Sequence, residues 1–160
     1  MTYYNNISKG YNELHGEEQK KKLDVIKKNM VVKKTDKLLD VGCGTGLSSD
    51  FECEVFGLDP SKDLLKLSKI PEDHKIIGKA EKIHFPDNYF DIVISVTAVH
   101  NFNDVEKGIL EMKRVGKGRF VFSVLKSPKT GKIKKIIENK FKIEKEIEEE
   151  KDIIIFAKKN

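Results

Sequence analysis

Short apolar runs recur along the chain, and from Leu38 onward they alternate with segments of helical spacing. Leu38, Leu39 and Val41 form the first run, with Asp40 inside it; Val55–Leu58, Lys75–Ile77, Phe90–Val96 and Arg119–Leu125 follow. Runs of this length bounded by glycine or polar turns predict buried strands. Leu23, Ile26 and Met30 recur at three- and four-residue spacing and predict a helix over Glu17–Asn29. Ser61 suits the cap of a second helix over Lys62–Lys69, with Leu64, Leu65 and Leu67 available to face the sheet. Asn103-Asp104-Val105-Glu106 is a cap-like start, with a carboxylate three residues after the capping position, for a helix to about Val115 that buries Ile109, Leu110 and Met112. Pro128 fits the first turn of a further helix, which Ile133, Ile136 and Ile137 carry to about Asn139. Phe141–Glu149 and Asp152–Lys158 predict a closing hairpin.

Strands alternating with helices imply an α/β fold with a mostly parallel sheet covered on both faces. A chain of 160 residues suits a single domain, 1–160, read as an N-terminal helical cap over 1–36 and a core over 37–160. One crossover is too short. Only the seven residues Leu47–Cys53 separate the first glycine turn from the second strand, whereas parallel crossovers usually need about a dozen residues or more. The connector is therefore either a single turn packed flat or the sign of a displaced second strand. Either way one sheet face is expected to be poorly covered and open to a partner or a second copy.

The formal charge is +5, with Lys and Glu both plentiful. Lys126–Lys142 carries seven Lys against Glu138, and Glu144–Asp152 carries six acids against two Lys. The two blocks are neighbours in a hairpin, so mutual pairing on a solvated face is the simpler reading, and an RNA-facing patch is the sharper one. Aromatic residues that would stack on single-stranded RNA are missing there apart from Phe141. No segment approaches the about eighteen apolar residues of a membrane span, and the N-terminus lacks the charged-then-apolar pattern of a secretory signal, so a cytoplasmic protein is expected. Cys43 and Cys53 make no disulfide framework, and the four scattered histidines show no metal-ligand spacing.

The chemistry gathers at Leu38–Asp59. Gly42, Gly44 and Gly46 follow the first strand with G-x-G-x-G spacing. Glycine permits positive φ and close approach of a ligand to the backbone, and the carboxyl ends of parallel strands are where open α/β sheets bind ligands. A dinucleotide fingerprint would read G-x-G-x-x-G. Its last glycine would fall on Leu47 or Ser49, which disfavours an NAD(P)-dependent oxidoreductase. Asp59 ends the next apolar run, where a carboxylate can accept hydrogen bonds from both hydroxyls of a ribose.

VGCGTG followed by GLDPS resembles motifs one and two of the class I S-adenosylmethionine-dependent methyltransferases. GKAEKIHFPDNYFDIVISVTAVHNF resembles the next two motifs of the small-domain, type 11-like branch, and EMKRVGKGRFVFSVLK its following helix and fifth strand. The resemblance spans about Leu38–Lys126. It implies a Rossmann-like, doubly wound sheet with an antiparallel last strand, here with the first crossover helix truncated. It implies S-adenosyl-L-methionine as cofactor and S-adenosyl-L-homocysteine as product. Gly42, Cys43 and Gly44 would pass close to the methionine part of the cofactor, with Asp40 supporting that loop. Asp59 would hold the ribose hydroxyls and Pro60 touch the adenine face. Ala80 and Glu81 would border the adenine edge; relatives often have an Asp just before that pair, where this chain has Lys79. Ser95 and Val96 would lie beneath the methionine chain. Tyr11 would cover the cofactor, and no metal is implied.

Methyl transfer from a sulfonium is an in-line displacement, so a protein mainly aligns nucleophile, methyl and sulfur. A base is needed only where the acceptor must lose a proton. His100, in VTAVHNF, is the candidate, either as base or as a loop-shaping residue. SVTA stands where the amino-methylating relatives carry Asn-Pro-Pro-Tyr, which argues against adenine or glutamine amides as acceptors. With few residues to bury a small acceptor, a macromolecule (RNA or protein) or a completing second subunit is favoured. The rival reading is a non-catalytic S-adenosylmethionine-binding module or a subunit that needs a partner.

Overall fold

The computed structural model describes residues 9–160, with side chains from residue 16 onward. One sheet contains β1 (Lys37–Val41), β2 (Glu54–Asp59), β3 (Lys75–Ile77), β4 (Phe90–Val96), β5 (Gly116–Leu125), β6 (Phe141–Glu148) and β7 (Asp152–Lys159), in the order β3-β2-β1-β4-β5-β7-β6. The first five strands are mutually parallel. β7 runs antiparallel to both β5 and β6, the doubly wound, mostly parallel arrangement expected. Among the described residues four α-helices accompany it: α1 (Lys9–Asn29), α2 (Lys62–Leu67), α3 (Val105–Val115) and α4 (Thr130–Lys140).

Alternation along the strands divides the core into two layers. Val93, Phe90, Phe120 and Phe122 pack with Ile109 and Met112 of α3 and Ile133 and Ile137 of α4. Ile92, Ile94, Val121 and Phe156 face the other way, where Leu23 and Ile26 of α1 meet them. Leu110 is an exception to the expected helix face and stays exposed.

The short connector resolves as a single 3₁₀ turn over Leu47–Asp50. β2 is not displaced: it pairs with β1 in unbroken parallel register from Lys37 opposite Glu54 to Val41 opposite Leu58. The sheet face is not left open either. Phe51, directly after the turn, is buried in the same cluster as Leu23, Ile26 and Leu65, so α1 and one aromatic ring supply the cover that a crossover helix would.

Some boundaries shift. α1 starts well before Glu17, β5 starts at Gly116, and α2 stops at Leu67. The cap of α3 is Asp104, whose Oδ1 accepts from the Lys107 amide at 3.1 Å. The Ser61 hydroxyl caps α2 as expected, accepting from the Leu64 amide at 3.2 Å. The basic and acidic blocks do pair, through Lys134 with Glu146 (3.0 Å) and Lys126 with Glu148 (3.7 Å). Each such exposed pair is worth little in stability, but together they reduce the free positive charge an RNA-facing patch needs. No helix of the described residues is long and apolar enough to cross a membrane.

Candidate functional site

A cavity of about 910 Å³ opens at the carboxyl ends of β1, β2 and β4, between the glycine turn, the loops after β3 and β4, and α1. All three glycines of the turn have positive φ, 80° at Gly42, 52° at Gly44 and 75° at Gly46. Two of them need glycine for different reasons. A Cβ on Gly42 would stand 2.6 Å from the Ala98 Cβ, so the turn and the loop after β4 interlock there. A Cβ on Gly44 would meet no protein atom within 4 Å; Gly44 lines the cavity, so its missing side chain leaves room on the cavity wall.

The turn is held from below by β2. The Gly42 and Cys43 amides donate to the Leu58 carbonyl at 2.7 and 3.1 Å. Asp59 completes the brace: its Oδ2 accepts from the Gly44 amide (2.9 Å) and its Oδ1 from the Ser61 amide (2.8 Å). An ionised carboxylate has about four acceptor positions, so Asp59 keeps capacity for two further donors while fixing the turn.

Asp40 also lines the cavity, yet its carboxyl is buried and, among the described residues, Oδ1 has no hydrogen-bond partner; nor does the adjacent Ser48 hydroxyl. Burial is the main cause that pushes the Asp40 carboxyl up to about 7; the Ser48 hydroxyl, beside it but outside hydrogen-bond geometry, opposes, and the Asp59 charge adds. The Cys43 thiol is pushed well above its ordinary value by burial and by the charges of Asp40 and Asp59. It is a packing group at the base of the turn, close enough to Gly57 to exclude a side chain there.

Pro60, Ala80, Glu81, Lys79 and Val96 line the same cavity. Glu81 has a second role. Its Oε2 accepts from the Asp104 amide at 2.9 Å and ties this loop to the start of α3. Arg114 of α3 holds the rest of that loop by donating to the carbonyls of Ile83 (2.7 Å) and Phe85 (2.8 Å). Ser95 is a correction. It is fully buried away from the cavity wall, and its hydroxyl donates to the Val41 carbonyl at 2.8 Å. The pleat turns Ser95 with Val93 to one face and Val96 to the other, so Ser95 staples β4 to β1 instead of lining the cavity. The Tyr11 side chain lies outside the described residues.

His100 sits in a 3₁₀ turn over Val99–Asn101 and lines the cavity. Its Nδ1 is buried without a hydrogen-bond partner among the described residues. Burial lowers its pKa, Asp152 opposes, and the Lys129 and Lys22 charges lower it further, so the neutral imidazole is favoured. Thr97, at the head of the same loop, carries no signal in the sequence. It has φ 55°, rare for a β-branched residue, and it is bonded to the buried Lys22 and Asp152.

A family model for the methyltransferase domain matches residues 39–122, more than half of the chain. The chain belongs to the methyltransferase domain family. Its glycine turn, strand order and acidic β2 end are those of the class I S-adenosylmethionine-dependent branch that the motifs resemble. Among curated proteins the chain is similar to an uncharacterized methyltransferase of Schizosaccharomyces pombe, 38% identical over 105 residues, covering 54% of this chain and 38% of that one. The chain thus spans well under half the length of that relative. Among solved structures it shares its fold with a SAM-dependent methyltransferase of Aquifex aeolicus (TM-score 0.71, 18% identity, covering 86% of this chain and 89% of that one). It also shares the fold of the methyltransferase in a complex from Haloferax volcanii with the Trm112 methyltransferase activator (TM-score 0.78, 14% identity, covering 94% of each chain).

Proposed function

We propose that this methyltransferase binds S-adenosylmethionine between the glycine turn and β2 and passes its methyl group to an acceptor held at the loop after β4. The observation that carries the reading is the Asp59 carboxylate, fixed by two backbone amides at the end of β2 with acceptor capacity left over. The residues present fit the cofactor. Gly44 leaves space beside the wall, and the unpartnered Asp40 oxygen offers an acceptor for an ammonium group. A cavity near the upper end of the usual range of about 300–1,000 Å³ has room for a cofactor and an acceptor group.

In this reading Asp59 receives the ribose hydroxyls, Pro60 meets the adenine face, and Ala80 and Glu81 border its edge. Gly42, Cys43, Gly44 and Val96 surround the methionine part, and Asp40 faces its ammonium. The bound cofactor supplies a methyl group already activated by the sulfonium. The chain's part is alignment, which lowers the barrier by fixing the reacting atoms in line. His100, neutral and with a free ring nitrogen, orients the acceptor or takes its proton.

Calorimetry with S-adenosylhomocysteine tests the site. Wild type should bind it and give no heat with NAD(H). Asp59→Ala should lose affinity by at least about tenfold, the scale of charge-assisted hydrogen bonds; unchanged affinity would refute the assignment. Labelled S-adenosylmethionine offered with RNA, protein and metabolite extracts tests transfer, a macromolecular acceptor being the expectation. His100→Ala should slow that transfer and change its pH dependence.

The Haloferax neighbour favours a second reading, in which the chain is a catalytic subunit that needs an activator partner. Ile77 on the edge strand β3 and Leu67 at the end of α2 are both mostly exposed and supply apolar surface for such a contact. Transfer that appears only on adding a candidate partner would support it, and persistent silence in every pool would leave a cofactor-binding module.

A further inference from the structure

We propose that Asp152 is a positioning residue for the acceptor side of the cavity, a single buried carboxylate that gathers α1, the end of β4 and β5 and thereby sets the loop 97–103. The inference deepens the methyl-transfer reading and rests on it for the word acceptor.

Asp152 opens β7 and is fully buried. Its Oδ2 accepts from the Thr97 hydroxyl and from the Ser123 hydroxyl, each at 2.8 Å. Its Oδ1 is 2.9 Å from Lys22 Nζ, a buried ion pair. Lys22 also donates to the Thr97 Oγ1, at 2.7 Å. Thr97 is therefore clamped from both sides: it accepts from the lysine and donates to the carboxylate. Its amide is fixed as well, donating to the Ser123 carbonyl at 2.8 Å.

This clamp explains how a threonine keeps a left-handed backbone. Such a conformation persists where its surroundings over-determine it, and it concentrates at functional sites. The chain leaving Thr97 is aimed by that φ. Ala98 is set against Gly42 of the glycine turn, and His100 follows on the cavity wall. The cluster thus links the cofactor turn, the acceptor loop and the helix that roofs the cavity through Gly16, Gln19 and Leu23. A buried ion pair is weak evidence for stability, since apolar residues of similar volume often serve as well. Its geometry here does what apolar residues cannot: it dictates one rotamer and one backbone state of Thr97. The charged groups that act on His100 are Asp152, Lys129 and Lys22, so two of the three belong to the cluster.

Two variants test this without knowledge of the acceptor. In Asp152→Asn the His100 imidazole, followed by NMR through a pH titration, should titrate at a lower pH than in wild type, because Lys22 and Lys129 remain and the opposing carboxylate is gone. Opening of the loop would instead expose the ring and move it up toward its ordinary value, which also shows that the carboxylate sets the loop; no movement in either direction overturns the proposal. Lys22→Met combined with Asp152→Leu replaces the pair by apolar side chains. It should keep the wild-type urea midpoint while amide hydrogen exchange over 97–103 quickens by about tenfold or more, a local opening separate from global unfolding. Wild-type exchange in that loop at wild-type stability also overturns it. If the double variant does not fold, the Asp152→Asn titration decides alone. Binding of S-adenosylhomocysteine to wild type is measured alongside. Its absence would sink the methyl-transfer reading, while the titration and the exchange rates would still decide whether Asp152 positions the loop.

Discussion

Replacing Asp40 by asparagine should stabilise the ligand-free protein at alkaline pH and weaken its binding of S-adenosylhomocysteine. The Asp40 carboxyl has its pKa pushed from 3.8 to about 7, chiefly by burial. The folded state therefore holds this proton over a pH range in which the unfolded chain has released it. Stability must fall as pH rises from about 4, the unfolded value, through about 7, the folded one, and flatten above. A gap of about three pKa units at about 1.36 kcal/mol each amounts to a penalty on the order of 4 kcal/mol above pH 8. Asparagine carries no such penalty. Urea unfolding of wild type and Asp40→Asn across pH 4 to 9 should show curves that meet near pH 4 and diverge to that extent by pH 8. Parallel curves would refute the reasoning, because they would mean that Asp40 ionises as freely in the folded protein as in the unfolded chain. The same proton should be visible on binding. An ammonium group beside Asp40 favours its charged form, so S-adenosylhomocysteine should expel about half a proton at pH 7 and about a tenth at pH 8. Calorimetry in buffers of different ionisation enthalpy reads that number, and Asp40→Asn should expel none.

Gly42→Ala should cost about 2–4 kcal/mol of stability, since it adds a Cβ at positive φ and against Ala98; Gly44→Ala, at φ 52° but meeting no protein atom, should cost only the about 1–2 kcal/mol of the backbone strain and lose ligand affinity besides, so equal loss of stability in the two variants would contradict the roles given to the two glycines. His74 stacks on Phe56 with ring centroids 4.2 Å apart and bonds Glu54 and Asp73. Burial works to lower its pKa, but the two carboxylates outweigh it and the net direction is up. Its ion-pair contribution is thus full below the ordinary imidazole value and lost as pH rises through the folded one, so thermal melts of His74→Ala should fall below wild type more at pH 5.5 than at pH 8.5. Phe51→Ala should destabilise by about 3–5 kcal/mol, the usual range for a buried phenylalanine, measured by urea unfolding; a loss under about 1 kcal/mol would show that the ring is not what closes the sheet face.

Much of the fold is legible because its signals are local. Leu38–Val41, Phe90–Val96 and Lys75–Ile77 announce themselves as apolar runs, and the glycine turn with Asp59 marks the cavity from sequence alone. Boundaries are less legible where propensity is weak: β5 begins early, at Gly116, because Phe90 of β4 pairs with it across a register shift, which no local pattern reveals. Ser95 falls one pleat away from its expected place, since strand phase depends on which neighbours cover each face. Lys22 and Asp152 are hidden for another reason. Each sits in a run of charges that reads as solvated surface, and their meeting requires a contact between the two ends of the chain. Thr97 cannot be read at all, because a left-handed threonine is imposed from outside and leaves no mark in its own neighbourhood.

The truncated crossover bears on how the site is built. In a doubly wound sheet the helix after β1 ordinarily both covers a face and fixes the glycine turn to its own first turn. Here the turn is fixed from the other side, by the Leu58 carbonyl and the Asp59 carboxylate, so β2 carries the loop without a helix behind it. Covering the face falls to α1. Leu23 and Ile26 lie in one cluster with Leu38, Ile94 and Phe156, which makes α1 a layer of the core and not an appendage over it. α1 also roofs the cavity and enters the Asp152 cluster through Lys22. The element that replaces the missing helix therefore touches the packed interior, the mouth of the cavity and the loop after β4 at once. Any change that lifts α1 must disturb folding and site together, and shortening the connector has coupled the two.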